Sequence, residues 1–404
     1  MFLYKKGYKS LMSFSYMIIR GVSAKSILDS RKEKTILVSI KTEKGVFSAS
    51  APDGKSKGKY EARPYKKSLE GDILALKKFN DYFNKEIIEG FEDLRRIEDI
   101  VEGHVGANTL FALESAALKA LAKEKNKEVW QIINPDARKF PRLVGNCIGG
   151  GKHSQTKEKK PDFQEFLLIP FTKKIKDSLE VEKKIKTTVE QDLKEKDSNF
   201  KSKKNDEKGW MTSLNEKEIL EILKKYKVRI GVDVASSGFY KRKKYHYENP
   251  MLKRDEEEQI GYLSNLIKNF DIFYVEDPFN EEDFDSFAKL LKKFPESLIV
   301  GDDLTVTNSK RLRKAIDNKS INALIVKPNQ CGSLLEIKRV CEMAVKNGIK
   351  IVFSHRSGET QEDILADLAF GFQADFFKIG IDGKERVSKI NRLIEIQKSL
   401  KPSH

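Results

Sequence analysis

Six short apolar runs in the second half of the chain each meet a residue able to do chemistry. They are VRIGVD (228–233), IFYVED (272–277), LIVGDD (298–303), ALIVKP (323–328), IVFSHR (351–356) and FFKIG (376–380), and the residues in question are Asp233, Glu276, Asp302, Lys327, His355 and Lys378. Three carboxylates with no cysteine or paired histidine beside them make an oxygen-donor set, which suits Mg2+ far better than zinc. One acid at a strand end is ordinarily a helix cap or half of an ion pair, whereas three at successive strand ends point to a shared site. The two lysines fit proton abstraction next to a carboxylate. Such a proton is very weakly acidic, so the resulting carbanion needs positive charge close by. An amine of pKa ~10.4 becomes a useful base only when like charge and desolvation lower it, and a second lysine and a metal supply that like charge.

These residues must be brought together by the elements that carry them. The runs alternate with helical patterns, as in βα units whose parallel strands are covered on both faces and need no polar alternation. In a βα barrel the carboxyl ends of all strands meet at one mouth, so six distant residues converge. A doubly wound open sheet is the structural rival, but it concentrates its site at one switch point and normally carries a glycine-rich phosphate loop. No GxGxxG follows an early strand here. The expected fold class is therefore α/β, a TIM-like βα barrel, preceded by a smaller α+β unit. In that unit a strand near 18–28, TILVSIKT (35–42) and GVFSASAP (45–52) form an antiparallel meander, followed by helices over 68–88 and 107–124. The expected division is an N-terminal extension at 1–16, an α+β capping domain at 17–140 and the barrel at 141–404.

Composition narrows the partners. The chain has 404 residues and a formal charge of +16, which favours anions. Much of that excess is interleaved with glutamate over 173–204, the pattern of a solvated helical face, so nucleic acid is not expected as the primary partner. Three cysteines without a CxxC pair argue against a disulfide framework and a structural zinc, and fit a reducing cytoplasm. The basic, part-apolar opening segment has no run long enough to span a bilayer, so no membrane partner is expected.

Further motifs stand among these runs. GDDLTVTN (301–308), VKPNQCGSL (326–334) and SHRSGET (354–360), in order after VEDPF (275–279), resemble the enolase family, as do LDSRKEKT (28–35), GANTLFALESA (106–116), NCIGGGKH (146–153), QEF (164–166) and IGVDVASS (230–237). The similarity spans roughly 17–396. It implies an enolase-type barrel with irregular first units and the reversible dehydration of 2-phosphoglycerate to phosphoenolpyruvate with two Mg2+ per site. On this resemblance Asp233, Glu276 and Asp302 hold the higher-affinity ion, and Ser56, on the mobile loop APDGKSKG (51–58), closes on the second. Lys327 removes the C2 proton, Lys378 binds the substrate carboxylate, and Arg356 and Ser357 hold the phosphate. His153 and His355 line the pocket. The stretch KKNDEKGWM (203–211), by composition a solvated loop, then carries Glu207 as the acid that assists loss of the C3 hydroxyl, with Glu165 beside it. Two adjacent carboxylates cannot easily both ionise, so one keeps a proton to donate. The resemblance also implies a homodimer or a larger ring of dimers.

Several residues depart from the family pattern. Asn205 and Lys208 replace glycines beside Glu207, and Gly149 stands where an asparagine is common. The closing loop carries Asp53, Lys55 and Lys57 where small or hydroxyl residues are usual, and an acid there would repel a phosphate. The segment SQTKEKKPD lengthens the spacing from His153 to Glu165. The alternative to an active enzyme is an enolase-like homologue with altered substrate or no turnover, acting as an anion-binding or interaction protein.

Overall fold

The computed structural model describes residues 16–55 and 57–400. The N-terminal part is a three-stranded antiparallel meander, β1 (Gly21–Leu28), β2 (Lys34–Thr42) and β3 (Gly45–Ser50), packed on helices. The strand expected near 18–28 is split: Met17–Ile18 pairs with Ile87–Ile88, and the chain enters the meander only at Gly21. The expected helix over 68–88 runs from Leu69 to Phe83. Its start is fixed by Ser68, whose Oγ accepts from the Gly71 amide at 3.0 Å. The alanine- and leucine-rich helix Ala107–Glu124 is buried along most of its length between meander and barrel.

The remainder is a closed barrel of β4 (Arg142–Gly149), β5 (Glu165–Ile169), β6 (Arg229–Asp233), β7 (Ile272–Glu276), β8 (Leu298–Gly301), β9 (Ala323–Val326), β10 (Lys350–Ser354) and β11 (Phe376–Lys378). It closes where β11 pairs with β4. β5 runs antiparallel to both its neighbours and every other contact in the ring is parallel, which is the irregular start expected of the barrel. The lysine- and glutamate-rich stretch is the helix Ile175–Lys196. A stripe that includes Leu179, Val189 and Leu193 is buried, and most of its charges face solvent. The long gap between Asp233 and Glu276 holds a small antiparallel ribbon over 240–254. No helix among the described residues is long and apolar enough to cross a membrane.

The pleat of the strands places the chemistry. Val144, Leu167, Ile169, Tyr274, Val300, Ile325, Val352 and Phe376 belong to one buried cluster that fills the barrel interior. A strand returns to the same face every second residue, so two positions further toward the mouth come Asn146, Glu165, Glu276, Asp302, Lys327, Ser354 and Lys378. Burying each aliphatic side chain of the lower layer stabilises the fold by about 1.5–3 kcal/mol. That layer forms a rigid floor under a ring of charges.

Candidate active site

At the mouth lies a small cavity lined by His153, Glu165, Glu207, Asp233, Asp302, Lys327, His355, Arg356, Ser357 and Lys378 together with Gly54, Gln164, Asp277 and Asp303. Every residue expected at the site is therefore on its wall except Glu276, which is fully buried against Lys378, and Ser56, which lies outside the described residues.

Above that floor two lysines face four carboxylates. The Lys378 ammonium lies 2.6 Å from Glu165, 2.8 Å from Asp233 and 2.8 Å from both oxygens of Glu276. Burial disfavours that ammonium, but Asp233, Glu165 and Glu276 outweigh it and hold Lys378 well above the usual lysine value. Burial and the neighbouring Asp233 push Glu276 up to about 8, although Lys378 pulls the other way. Lys327 contacts Asp302, and that carboxylate raises the lysine against the effect of burial. The lowered pKa expected of a base is thus not the state seen here; the partner carboxylate wins.

The donor chemistry fits a hard divalent cation. Asp233, Glu276 and Asp302 are buried oxygen donors, and crowding drives one of them toward neutrality in the absence of further positive charge. Asp233 and Glu276 meet through Lys378, whereas the ligand atoms of Asp302 lie within 4.8 Å of those of Asp277 and Asp303. Asp277 was not anticipated; its oxygens accept from the amides of Asp302 and Asp303 at 2.9 and 2.7 Å, fixing that turn.

Glu165 and Glu207 form an unequal pair. Burial lifts Glu165 well above the carboxylate range, with Lys378 opposing and Glu207 adding to the rise. For Glu207 burial acts the same way, but the positive charge of His153 and a hydrogen bond from Glu165 outweigh it and hold it well below that range. The two shifts oppose each other, so a proton shared by the pair is favoured on Glu165. Asn146 Nδ2 donates to Glu165 at 2.5 Å and to Glu207 at 3.5 Å. His153 Nε2 lies 3.7 Å from Glu207, and its Nδ1 is 2.9 Å from Asp206. Burial and Arg386 drive His355 well below the ordinary histidine value, so its neutral Nδ1 accepts from Arg386 Nε at 3.1 Å.

Glu207 is only 6 % exposed, although its sequence neighbours suggest a solvated loop. The stretch 203–211 is a hairpin: Met211 N donates to Lys203 O, Asn205 N to Gly209 O and Lys208 N to Asn205 O. Lys208 takes the left-handed position after the turn (φ 68°), where a glycine is easiest. Its carbonyl accepts from Lys186 at 2.5 Å, and its own ammonium pairs with no carboxylate among the described residues.

The opposite wall is shared with the N-terminal segments. Arg356 is held by Glu61 through contacts of 3.0 and 3.1 Å. The Ser357 hydroxyl accepts from the Lys55 amide at 2.9 Å and from Arg31 at 3.1 Å. A Cβ on Gly54 would stand 1.8 Å from Arg356 Nη2, so only glycine lets the loop backbone lie this close to the guanidinium. Asp53, unexpected beside a phosphate, is neutralised by Lys57 at 3.1 Å and lies 3.9 Å from Arg31. Sequence reasoning missed Glu61, Arg31, Asn146 and Arg386 as site residues. Only Arg31 and Asn146 stood in motifs that drew notice.

The enolase N-terminal domain family model matches residues 19–133, and the enolase C-terminal TIM barrel domain model matches residues 138–403. The chain is 37 % identical over 413 residues to the enolase of Methanosphaera stadtmanae, covering 95 % of this chain and 97 % of that protein. It is 34 % identical over 406 residues to the enolase of Natronomonas pharaonis (94 % and 99 %) and 36 % identical over 408 residues to that of Sulfurisphaera tokodaii (95 % and 96 %). With a barrel whose first units are irregular, an acid pair and two lysines on one cavity, and both family domains matched along the chain, this protein is an enzyme of the enolase family.

Proposed function

We propose that the enzyme catalyses the reversible dehydration of 2-phosphoglycerate to phosphoenolpyruvate. The observation that carries this reading is the presence on one small cavity of two lysines, an unequal carboxyl pair and an arginine next to a serine hydroxyl. Lys327 takes the C2 proton. Its base form requires Asp302 to turn to another partner, because that carboxylate is what holds the lysine protonated. Lys378 binds the substrate carboxylate, and Arg356 and Ser357 bind the phosphate through charge-assisted hydrogen bonds. Two Mg2+ ions, one held by Asp233, Glu276 and Asp302 and one by Ser56, would supply the positive charge that stabilises the dianion formed on proton loss. Glu207 assists departure of the C3 hydroxyl, drawing on the proton that Glu165 carries, while His153 and His355 line the pocket. We place the boundary between the capping domain and the barrel near residue 140, and the resemblance supports a homodimer or larger homo-oligomer.

The test follows the ultraviolet absorbance of phosphoenolpyruvate. Turnover should depend on Mg2+, disappear with a chelator, and be lost in Lys327→Ala. Folded protein that shows no turnover at saturating Mg2+ would sink the assignment, and undiminished turnover in Lys327→Ala would remove the base.

A further inference from the structure

Glu207 owes its place to a hairpin turn, and one buried side chain closes that turn. Asn205, 5 % exposed, accepts on Oδ1 from the amide of Glu207 at 3.1 Å and from that of Gly209 at 2.9 Å. These two donors settle which end of the amide is the oxygen. The other end, Nδ2, has no hydrogen-bond partner among the described residues, so the side chain is kept for its acceptor. Both backbone N–H groups lie in a buried part of the wall, where an unpaired donor is costly.

Room for this amide comes from the neighbouring strand. A Cβ on Gly149, the last residue of β4, would stand 2.0 Å from Asn205 Nδ2 and 2.8 Å from its Cγ. The φ angle of Gly149 is not in the left-handed region, so what the position demands is space rather than an unusual backbone. The sequence departures noted at these two positions therefore form one contact. Where an asparagine is common on the strand and a glycine on the turn, this chain has the glycine on the strand and the asparagine on the turn.

We propose that Asn205 is the positioning residue of Glu207 and that Gly149 is its obligatory counterpart, the pair acting as one exchangeable unit. This rests on Glu207 assisting loss of the C3 hydroxyl. Displacing an acid by an ångström is enough to lower a rate by as much as about a hundredfold. Proton removal at C2 is assigned to Lys327, which follows β9 and not this hairpin, so the two half-reactions should separate.

The experiment uses the full chain with Mg2+ and 2-phosphoglycerate and reads two rates: dehydration, and exchange of the C2 hydrogen with deuterium from solvent. In Asn205→Gly, kcat for dehydration should fall roughly ten- to a hundredfold, with KM and C2 exchange largely kept. Gly149→Asn alone should lose at least as much, because two amides compete for one space. The double variant Gly149→Asn/Asn205→Gly should recover most of the lost dehydration. An Asn205→Gly enzyme with wild-type kcat, a parallel fall of exchange and dehydration, or a double variant no better than the worse single would each overturn the proposal. Wild-type protein without turnover would overturn the functional reading itself, and this inference with it.

Discussion

The ammonium of Lys55 lies 3.4 Å from the carboxylate of Asp206, joining the loop over the cavity to the hairpin that carries Glu207. On its other oxygen Asp206 meets His153 at 2.9 Å, so the contact continues toward the acid. Neither partner is fully buried, and salt should weaken the pair. Lys55→Met is expected to raise KM about twofold to fivefold with kcat mostly held. The gap to wild type should narrow as salt is added to a steady-state assay. A salt-independent gap would show that Lys55 acts by packing.

Lys378 sits among three buried carboxylates, and its removal should leave them repelling one another. Breaking a buried ion pair by deleting one partner costs about 3–5 kcal/mol. Lys378→Ala should therefore lose stability in chelator and regain much of it with Mg2+, whose stabilising effect on the variant should exceed that on wild type. Urea denaturation with and without Mg2+ measures both. Equal Mg2+ effects on the two proteins would mean that the ion and the ammonium do not serve the same carboxylates.

Lys208 holds a left-handed backbone angle without a compensating partner for its ammonium. Lys208→Gly should raise stability by about 0.5–1 kcal/mol, seen as a higher denaturation midpoint at unchanged slope. Turnover should be unchanged. A loss of kcat would instead place that ammonium in the chemistry.

Glu216 opens the helix Glu216–Leu223 and accepts from the Asp162 amide at 2.7 Å. Burial and the nearby Asp162 push it up to about 7 from the ordinary 4.5. A carboxyl whose folded value is raised binds its proton more tightly in the fold than in the unfolded chain. It thus costs nothing below about pH 4 and progressively destabilises the fold as pH rises through 7. Glu216→Gln should match wild type at pH 4 and exceed it by about 1–3 kcal/mol at pH 8. Denaturation at the two pH values decides, and a variant less stable at pH 8 would contradict the burial account.

The barrel was legible because each apolar run meets an ionisable residue, and the pleat then dictates that the residue two places beyond an inward-facing Tyr274 or Val300 also faces inward. The strands β4 and β5 carry no such regular signal. Their antiparallel pairing follows no βα pattern, and they were noticed only through the motifs NCIGGGKH and QEF. Glu207 was legible by resemblance alone, since its hairpin is held down by tertiary contacts, Lys186 of the preceding helix on the Lys208 carbonyl and Arg386 of the last helix on the Asp206 carbonyl. The location of the shared proton could not be read at all. It depends on how near Glu207 comes to the charge of His153, a distance that tertiary packing sets. Asp53 shows the converse: alone it reads as repulsive to a phosphate, and with Lys57 beside it the charge is cancelled.

The seam over Ser357 binds the two matched segments more closely than their separate family matches suggest. Asp53 and Gly358 exchange two backbone hydrogen bonds, the Ser30 amide donates to the Glu359 carbonyl while the Glu359 amide donates to the Ser30 hydroxyl, and Arg31 reaches the Ser357 hydroxyl. The wall around Arg356 and Ser357 is therefore built jointly by Ser30, Arg31, Asp53, Lys55 and Glu61 from the N-terminal segment and by residues 356–359 from the barrel. A chimera that joined this barrel to another enolase's N-terminal segment would inherit a half-pocket cut for different partners. The side chains of Ser30 and Arg31 reach Glu359 and Ser357, so exchanging either side alone should strand a hydrogen-bonding group that exchanging both together would keep paired.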